Sequence, residues 1–200
     1  LVTPTDWLVA EWIRKGYTAP IDEQTVPNKK NILPALKDVQ FDPGREYSLT
    51  WQSGFAGLAW NKERIPNGLR TINDLWNPEL KGKVVVLSEM RDTIGCIMLS
   101  QGVDISEQFT DEQFMAGLDV LQQQVDSGQV KQVKGNSYKE DLINEQAWAA
   151  IAWSGDIFQI NAEEGAKWEF ALPDTGGTLW SDNLLIPITA ANPKGAQALM

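Results

Sequence analysis

Apolar positions along this chain recur with two periods that take turns. Trp7-Leu8-Val9-Ala10-Glu11-Trp12-Ile13 has helical spacing behind the turn and cap signal Pro4-Thr5-Asp6. Residues 18–46 carry Pro20, Pro27, Pro34 and Pro43 among polar positions and predict a long loop with a short helix near 31–38. Two extended runs follow over 48–51 and 54–61, the second rich in small residues that allow close packing. A short capped helix is predicted over 71–76, ended by Pro78. Lys83-Val84-Val85-Val86-Leu87 is a β-branched run of the kind buried in a parallel sheet, and a helix over 92–101 comes after it. Residues 110–127 put Phe114, Leu118, Leu121 and Val125 on one helical face. The alternation continues with a strand at 130–133, a helix at 137–144, a strand at 147–153, a helix at 156–164 and strands at 169–172 and 183–187. Strands alternating with helices predict an α/β fold with a largely parallel sheet.

Composition narrows the chemistry. The 200 residues hold 17 Lys and Arg against 27 Asp and Glu, a formal charge of −10, with no His, one Cys and nine Trp. A hydrolase that needs a histidine base is excluded, as are zinc sites built from His or paired Cys. No metal or cofactor site is expected. Cys96 alone cannot make a disulfide framework, and its apolar helix makes it a buried small hydrophobe. So acidic a chain is a poor partner for phosphate backbones, so no nucleic-acid role is expected. No apolar run approaches the ~20 residues of a membrane helix. The chain opens on Leu1-Val2-Thr3-Pro4, the pattern of a strand end rather than of a signal peptide, and its last residues start a helix. The expectation is a piece of a longer protein.

Tryptophan and carboxylate then coincide at the junctions between strands and helices, where open α/β sheets form ligand sites. Thr5-Asp6-Trp7, Ser88-Glu89-Met90-Arg91-Asp92 and Trp153-Ser154-Gly155-Asp156 each follow a predicted strand, and Trp180-Ser181-Asp182 precedes the last one. Carboxylates hold ammonium groups through charge-assisted hydrogen bonds, and indole faces accept both the methylenes and the cation. Glu89 and Asp92, three apart at a helix start, project from one turn, and Asp182 lies two residues from Trp180. Plainer readings stand beside these. Asp6 and Asp92 fit helix N-caps, Glu89 fits a solvated charge, and Trp153 and Trp180 fit core aromatics. Trp12, Trp60, Trp76, Trp148 and Trp168 are assigned to packing. Gly54-x-x-Gly57 and Gly176-Gly177 lack the helix and Lys of a phosphate loop.

The order of these motifs resembles the spermidine/putrescine-binding proteins of bacterial ABC importers, within the type II periplasmic-binding-protein fold. The resemblance runs over nearly the whole chain. It is carried by Leu1-Val2-Thr3-Pro4-Thr5, Phe41-Asp42-Pro43 before Tyr47-Ser48, Leu58-Ala59-Trp60-Asn61 and the segment from Asp74 to Gly82. It continues through Arg91-Asp92, Trp153-Ser154-Gly155 and Gly176-Gly177-Thr178-Leu179-Trp180-Ser181-Asp182-Asn183-Leu184-Leu185-Ile186-Pro187. Of these the tryptophan–aspartate pair at 180 and 182 is the most specific.

What the resemblance implies is a two-lobed α/β fold of mixed, mostly parallel sheets flanked by helices. Residues 1–52 and 177–200 would belong to the first lobe and 53–176 to the second. The implied ligand positions are Thr5 and Trp7 for the family's serine–x–tyrosine, Glu89 and Asp92 for its two acidic residues, Trp153, and Trp180 with Asp182. Trp51 and Gln52 are weaker candidates. Trp stands for Tyr at 7, Thr for Ser at 5, and the acidic order is Glu then Asp. The implied function is capture of a polyamine in an acidic-aromatic cleft closed by hinge motion. No bond is made or broken in this scheme. The protein would be a monomer, periplasmic or extracellular and membrane-anchored, serving an ABC permease of the inner membrane. Competing readings are a receptor for γ-aminobutyrate or a quaternary ammonium, and a glycosidase using Glu89 and Asp182.

Overall fold

The computed structural model describes residues 1–200 and divides them into two compact units: Leu1–Ser53 with Trp180–Met200, and Gly54–Leu179. The chain passes between the units twice, once inside a long strand and once inside the last strand. No helix is long and apolar enough to cross a membrane.

The first unit holds α1 (Asp6–Arg14), the one-turn α2 (Pro34–Lys37), most of the segment that starts β1 (Ser48–Asn61), and, after the rest of the chain, the end of β6 (Thr178–Leu185) and α7 (Pro193–Leu199). Thr5 is the N-cap residue of α1 and bridges Asp182 of β6, and Val2 bridges Leu185. Prolines at 27, 34 and 43 each open a helical turn, where the missing N–H costs nothing. A small apolar cluster of Ile21, Val26 and Leu49 is joined by Ile32, Leu184 and Met200.

The second unit is built on a mixed sheet in the order β3-β2-β4-β1-β5, with β6 also pairing β1. Its strands are β2 (Val84–Leu87), β3 (Val130–Lys134), β4 (Ala149–Trp153) and β5 (Trp168–Ala171); its helices are α3 (Met90–Ser100), α4 (Asp111–Asp126), α5 (Tyr138–Ile143) and α6 (Ser154–Glu164). β2 runs parallel to β3 and β4, whereas β1 runs antiparallel to β4 and β5. All four residues of β2 are buried, as an unbroken β-branched run at the centre of a parallel ladder requires. Trp60 and Trp168 are buried in this core, and Trp76 and Trp148 pack against it.

Three sequence expectations change. The runs at 48–51 and 54–61 are a single strand, because exposed Gln52 and Ser53 keep extended backbone where the chain leaves the first unit. The last strand starts at Thr178, so Trp180 and Asp182 lie inside it and not ahead of it. α4 buries only Gly117 completely; its side that meets α3 is set there, where an added Cβ would stand 3.0 Å from Met98 Cγ, and Val125 remains 39% exposed.

Candidate functional site

In the first unit the amine-binding candidates gather on β1, β6 and the start of α1. Gln52 Nε2 donates to Asp182 Oδ2 at 2.9 Å, and Ser53 Oγ donates to the Trp180 carbonyl at 2.6 Å. Asp182 is half-buried and opposite Thr5 across their bridge. Trp51 is 63% exposed, an unusual state for an indole with no surface to cover. Trp180 is half-buried, and its indole N–H is buried without a hydrogen-bond partner. Trp7 is exposed on α1. It lines an open pocket of about 340 Å³ with Asp6, Ala10, Gln40 and Phe41. Asp6 accepts from the backbone N–H of Trp7 at 2.7 Å and of Ser181 at 3.1 Å, so this carboxylate ties α1 to β6.

The Gln52 bond leaves Asp182 with its remaining acceptor capacity, since an ionised carboxylate has about four lone-pair sites. A half-buried carboxylate two residues along a strand from a half-buried indole is chemically suited to a primary ammonium group on an apolar stem.

In the second unit β2 delivers the chain to the start of α3. Glu89 is the N-cap residue: its Oε1 accepts from the Arg91 backbone N–H at 3.3 Å, and the side chain is half-exposed. Asp92, one turn on, is only 4% exposed. Its Oδ2 accepts the Trp153 indole N–H at 2.7 Å and its Oδ1 accepts the Thr178 hydroxyl at 2.5 Å. Burial raises the pKa of Asp92, and the bonds from Thr178 and Trp153 only partly offset that. The two acidic residues that the sequence puts side by side therefore differ in kind. Glu89 faces solvent at the helix start, while Asp92 is a buried acceptor.

Trp153, the last residue of β4 and the N-cap residue of α6, is held on its other side as well. The Tyr138 ring meets it edge-on, 5.9 Å between centroids and 76° between planes. Tyr138 Oη accepts the Trp153 backbone N–H at 3.2 Å and donates to Asp156 Oδ2 at 2.9 Å, and Lys139 Nζ reaches Asp156 Oδ1 at 3.2 Å. Burial, with Asp156 next, pushes the Tyr138 hydroxyl well above its ordinary value, so it stays protonated as donor.

The structure thus brings Thr5, Trp51, Gln52, Trp180 and Asp182 onto the paired segments of the first unit, and Asp92 directly onto Trp153 in the second. Sequence reasoning missed Thr178, Tyr138 and Asp156 as supports of Trp153. Asp156 lay within the quoted junction motif, but Tyr138 carried no signal, since its contact crosses from another helix. Phe41 and Gln40 were likewise not singled out as pocket residues. No group of three or more Cys, Asp or Glu side chains is arranged to hold a metal ion.

Comparison with known proteins places the chain in a family. A family described as bacterial extracellular solute-binding protein matches residues 1–200. The chain is 27% identical to spermidine/putrescine-binding periplasmic protein 1 of Haemophilus influenzae, covering 100% of this chain and 55% of that protein. It is 26% identical to the spermidine/putrescine-binding periplasmic protein of Escherichia coli, covering 100% and 57%. Among solved structures, a putative spermidine/putrescine ABC transporter from Listeria monocytogenes superposes with a TM-score of 0.90 at 28% identity, over 98% of this chain and 60% of that one. The chain spans little more than half the length of the curated relatives it matches.

Proposed function

We propose a function from a premise that the family match establishes: the chain belongs to the bacterial extracellular solute-binding proteins. Its ligand is a polyamine of the putrescine or spermidine type. The protein captures it outside the cytoplasm, as a membrane-anchored monomer in the periplasm or at the cell surface, and hands it to an ABC permease. The relatives' names support the ligand class. The observation that carries the reading on this chain is the Asp182 carboxylate, held by Gln52 at 2.9 Å and two residues from Trp180 on the same strand.

The chemistry follows from what each group offers. Asp182 takes one ammonium through charge-assisted hydrogen bonds. The indoles of Trp7, Trp51 and Trp180 cover methylenes and attract the cation by about 0.5–2 kcal/mol each. Within the second unit, taken by itself, Glu89 offers a carboxylate at a helix start, and Asp92 holds the Trp153 indole in place. Thr5 adds a hydroxyl beside Asp182.

A thermal-shift panel on the full-length protein tests the class, using putrescine, spermidine, choline, betaine and γ-aminobutyrate. Ligand binding raises the melting temperature by mass action. The expected response is to putrescine or spermidine; a response only to choline, betaine or γ-aminobutyrate overturns the reading. Asp182→Asn removes the charge with the shape kept, and its calorimetric affinity for putrescine should fall by about ten- to 150-fold.

A further inference from the structure

Arg45 is 0% exposed, the largest fully buried side chain in the molecule, and nothing in the recognition scheme uses it directly. Its guanidinium reaches four acceptors in the first unit. Nε donates to the Leu36 carbonyl at 2.8 Å, Nη1 to Ser48 Oγ at 3.2 Å and to Asn183 Oδ1 at 2.8 Å, and Nη2 to Thr50 Oγ1 at 2.6 Å. The Phe41 ring stacks against it, 5.3 Å from Cζ to centroid. Asp42, 2% exposed, accepts from Ser48 through both N–H and Oγ, at 2.8 Å and 2.6 Å.

Such a group is expensive to bury. Desolvating a cation costs several kcal/mol, and apolar residues of similar volume stabilise a core as well or better. The backbone adds to that cost, because Arg45 has φ +56°, in the left-handed region that a non-glycine residue seldom occupies. What an arginine supplies that an apolar residue cannot is a rigid planar fork that sets several partners at once. Here the fork sets β1 against β6. Two residues past Thr50 on β1 is Gln52, and one residue before Asn183 on β6 is Asp182. These two meet at 2.9 Å although Gln52 is exposed, where solvent would otherwise compete for its amide.

We propose that Arg45 is the positioning residue of the amine site: from inside the first unit it locks β1 to β6 so that Gln52 orients Asp182 toward the ligand. This rests on the polyamine reading for its functional consequence, while its structural core, the placement of Gln52 on Asp182, stands independently. The sequence already showed the segment Phe41-Asp42-Pro43 before Tyr47-Ser48 as a distinctive motif, and recognition left it without a role.

The test compares full-length wild type with R45M, R45K and D182N by two readouts, putrescine affinity by calorimetry and the Gln52 side-chain amide resonances by NMR. R45M should fold, move the Gln52 amide to the shifts of a free glutamine and weaken putrescine binding by about tenfold. R45K should fall between R45M and wild type on both readouts, since a lysine keeps the charge without the fork. Wild-type Gln52 shifts in R45M overturn the proposal, as does wild-type affinity in R45M beside a loss in D182N. Should wild type bind no amine, the polyamine reading fails, and the Gln52 resonances alone decide the role of Arg45. Should R45M not fold, T50V deletes one acceptor of the fork and is held to the same two criteria.

Discussion

Trp153 donates its indole N–H to Asp92 Oδ2 across 2.7 Å, while the hydroxyl of Thr178 occupies Oδ1 of the same carboxylate. The bond joins the end of β4 to the first turn of α3, and Thr178 adds the start of β6. Asp92 thereby spends both oxygens on the protein. An asparagine there accepts from Trp153 and donates to the Thr178 hydroxyl, so D92N should keep Trp153 in place. Putrescine affinity of D92N, by calorimetry, should stay within about threefold of wild type, well short of the loss in D182N. D92A should instead lose about 1–3 kcal/mol of stability, because the indole N–H is left buried and unpaired. A loss in D92N as large as that in D182N would make Asp92 a direct ligand group.

Acid stability should depend on Asp141. This carboxylate is 5% exposed at its side chain and paired with Lys131 at 3.2 Å and Lys134 at 2.6 Å. Burial opposes its ionisation, but the two lysines outweigh burial and hold the pKa below 3.8. A depressed folded-state value means that the contribution is fully present above the unfolded value and is lost as pH falls through the folded one. D141N should be less stable by about 1.5–3 kcal/mol at pH 7, and the gap should close as pH drops below about 4 in denaturant titrations. A gap that persists at low pH would assign the pairing no electrostatic role.

Two glycines separate close approach from open space. A Cβ on Gly177 would stand 2.4 Å from the Ala56 carbonyl oxygen, whereas one on Gly155 would meet nothing within 4 Å. G177A should lower the urea-unfolding free energy by about 1–3 kcal/mol as β6 is pushed from β1. G155A, in the first turn of α6, should be neutral or stabilising by up to about 1 kcal/mol. Equal effects at both positions would contradict the packing described.

Cys96 should be inert. It is 0% exposed, and burial foremost, with Asp92 next, pushes its thiol up to about 12. Native protein at pH 8 should resist thiol reagents over hours and react fully once unfolded in guanidinium. Rapid labelling of native protein would show that α3 opens readily.

The alternation of apolar periods was enough to read the α/β class, because β2 is buried on both faces and therefore has no polar positions to interrupt it. The tryptophan–carboxylate motifs were legible for a similar reason. Indoles and carboxylates at strand ends stand out against a background of Val, Ile and Ala. The helix starts at Thr5 and Glu89 could be placed to within a few residues, since capping is a local matter of backbone N–H groups.

What each of those residues does was decided by tertiary structure. Glu89 and Asp92 look alike in the chain, yet one lies at a solvated helix end and the other is closed over by Trp153 and Thr178, residues 61 and 86 positions away. The single strand across 48–61 was hidden because local pattern reads the exposed Gln52 and Ser53 as a break, while pairing with β6 keeps the backbone extended. Arg45 gave no sign of burial: one charge among many in a proline-rich loop reads as solvated, and only folding brings Leu36, Ser48, Thr50 and Asn183 around it. Local sequence fixes which elements form, because capping and periodicity act over a few residues. Burial and partner identity are set by contacts between segments distant in sequence, and these decide whether a charge binds ligand, holds an indole or locks two strands together.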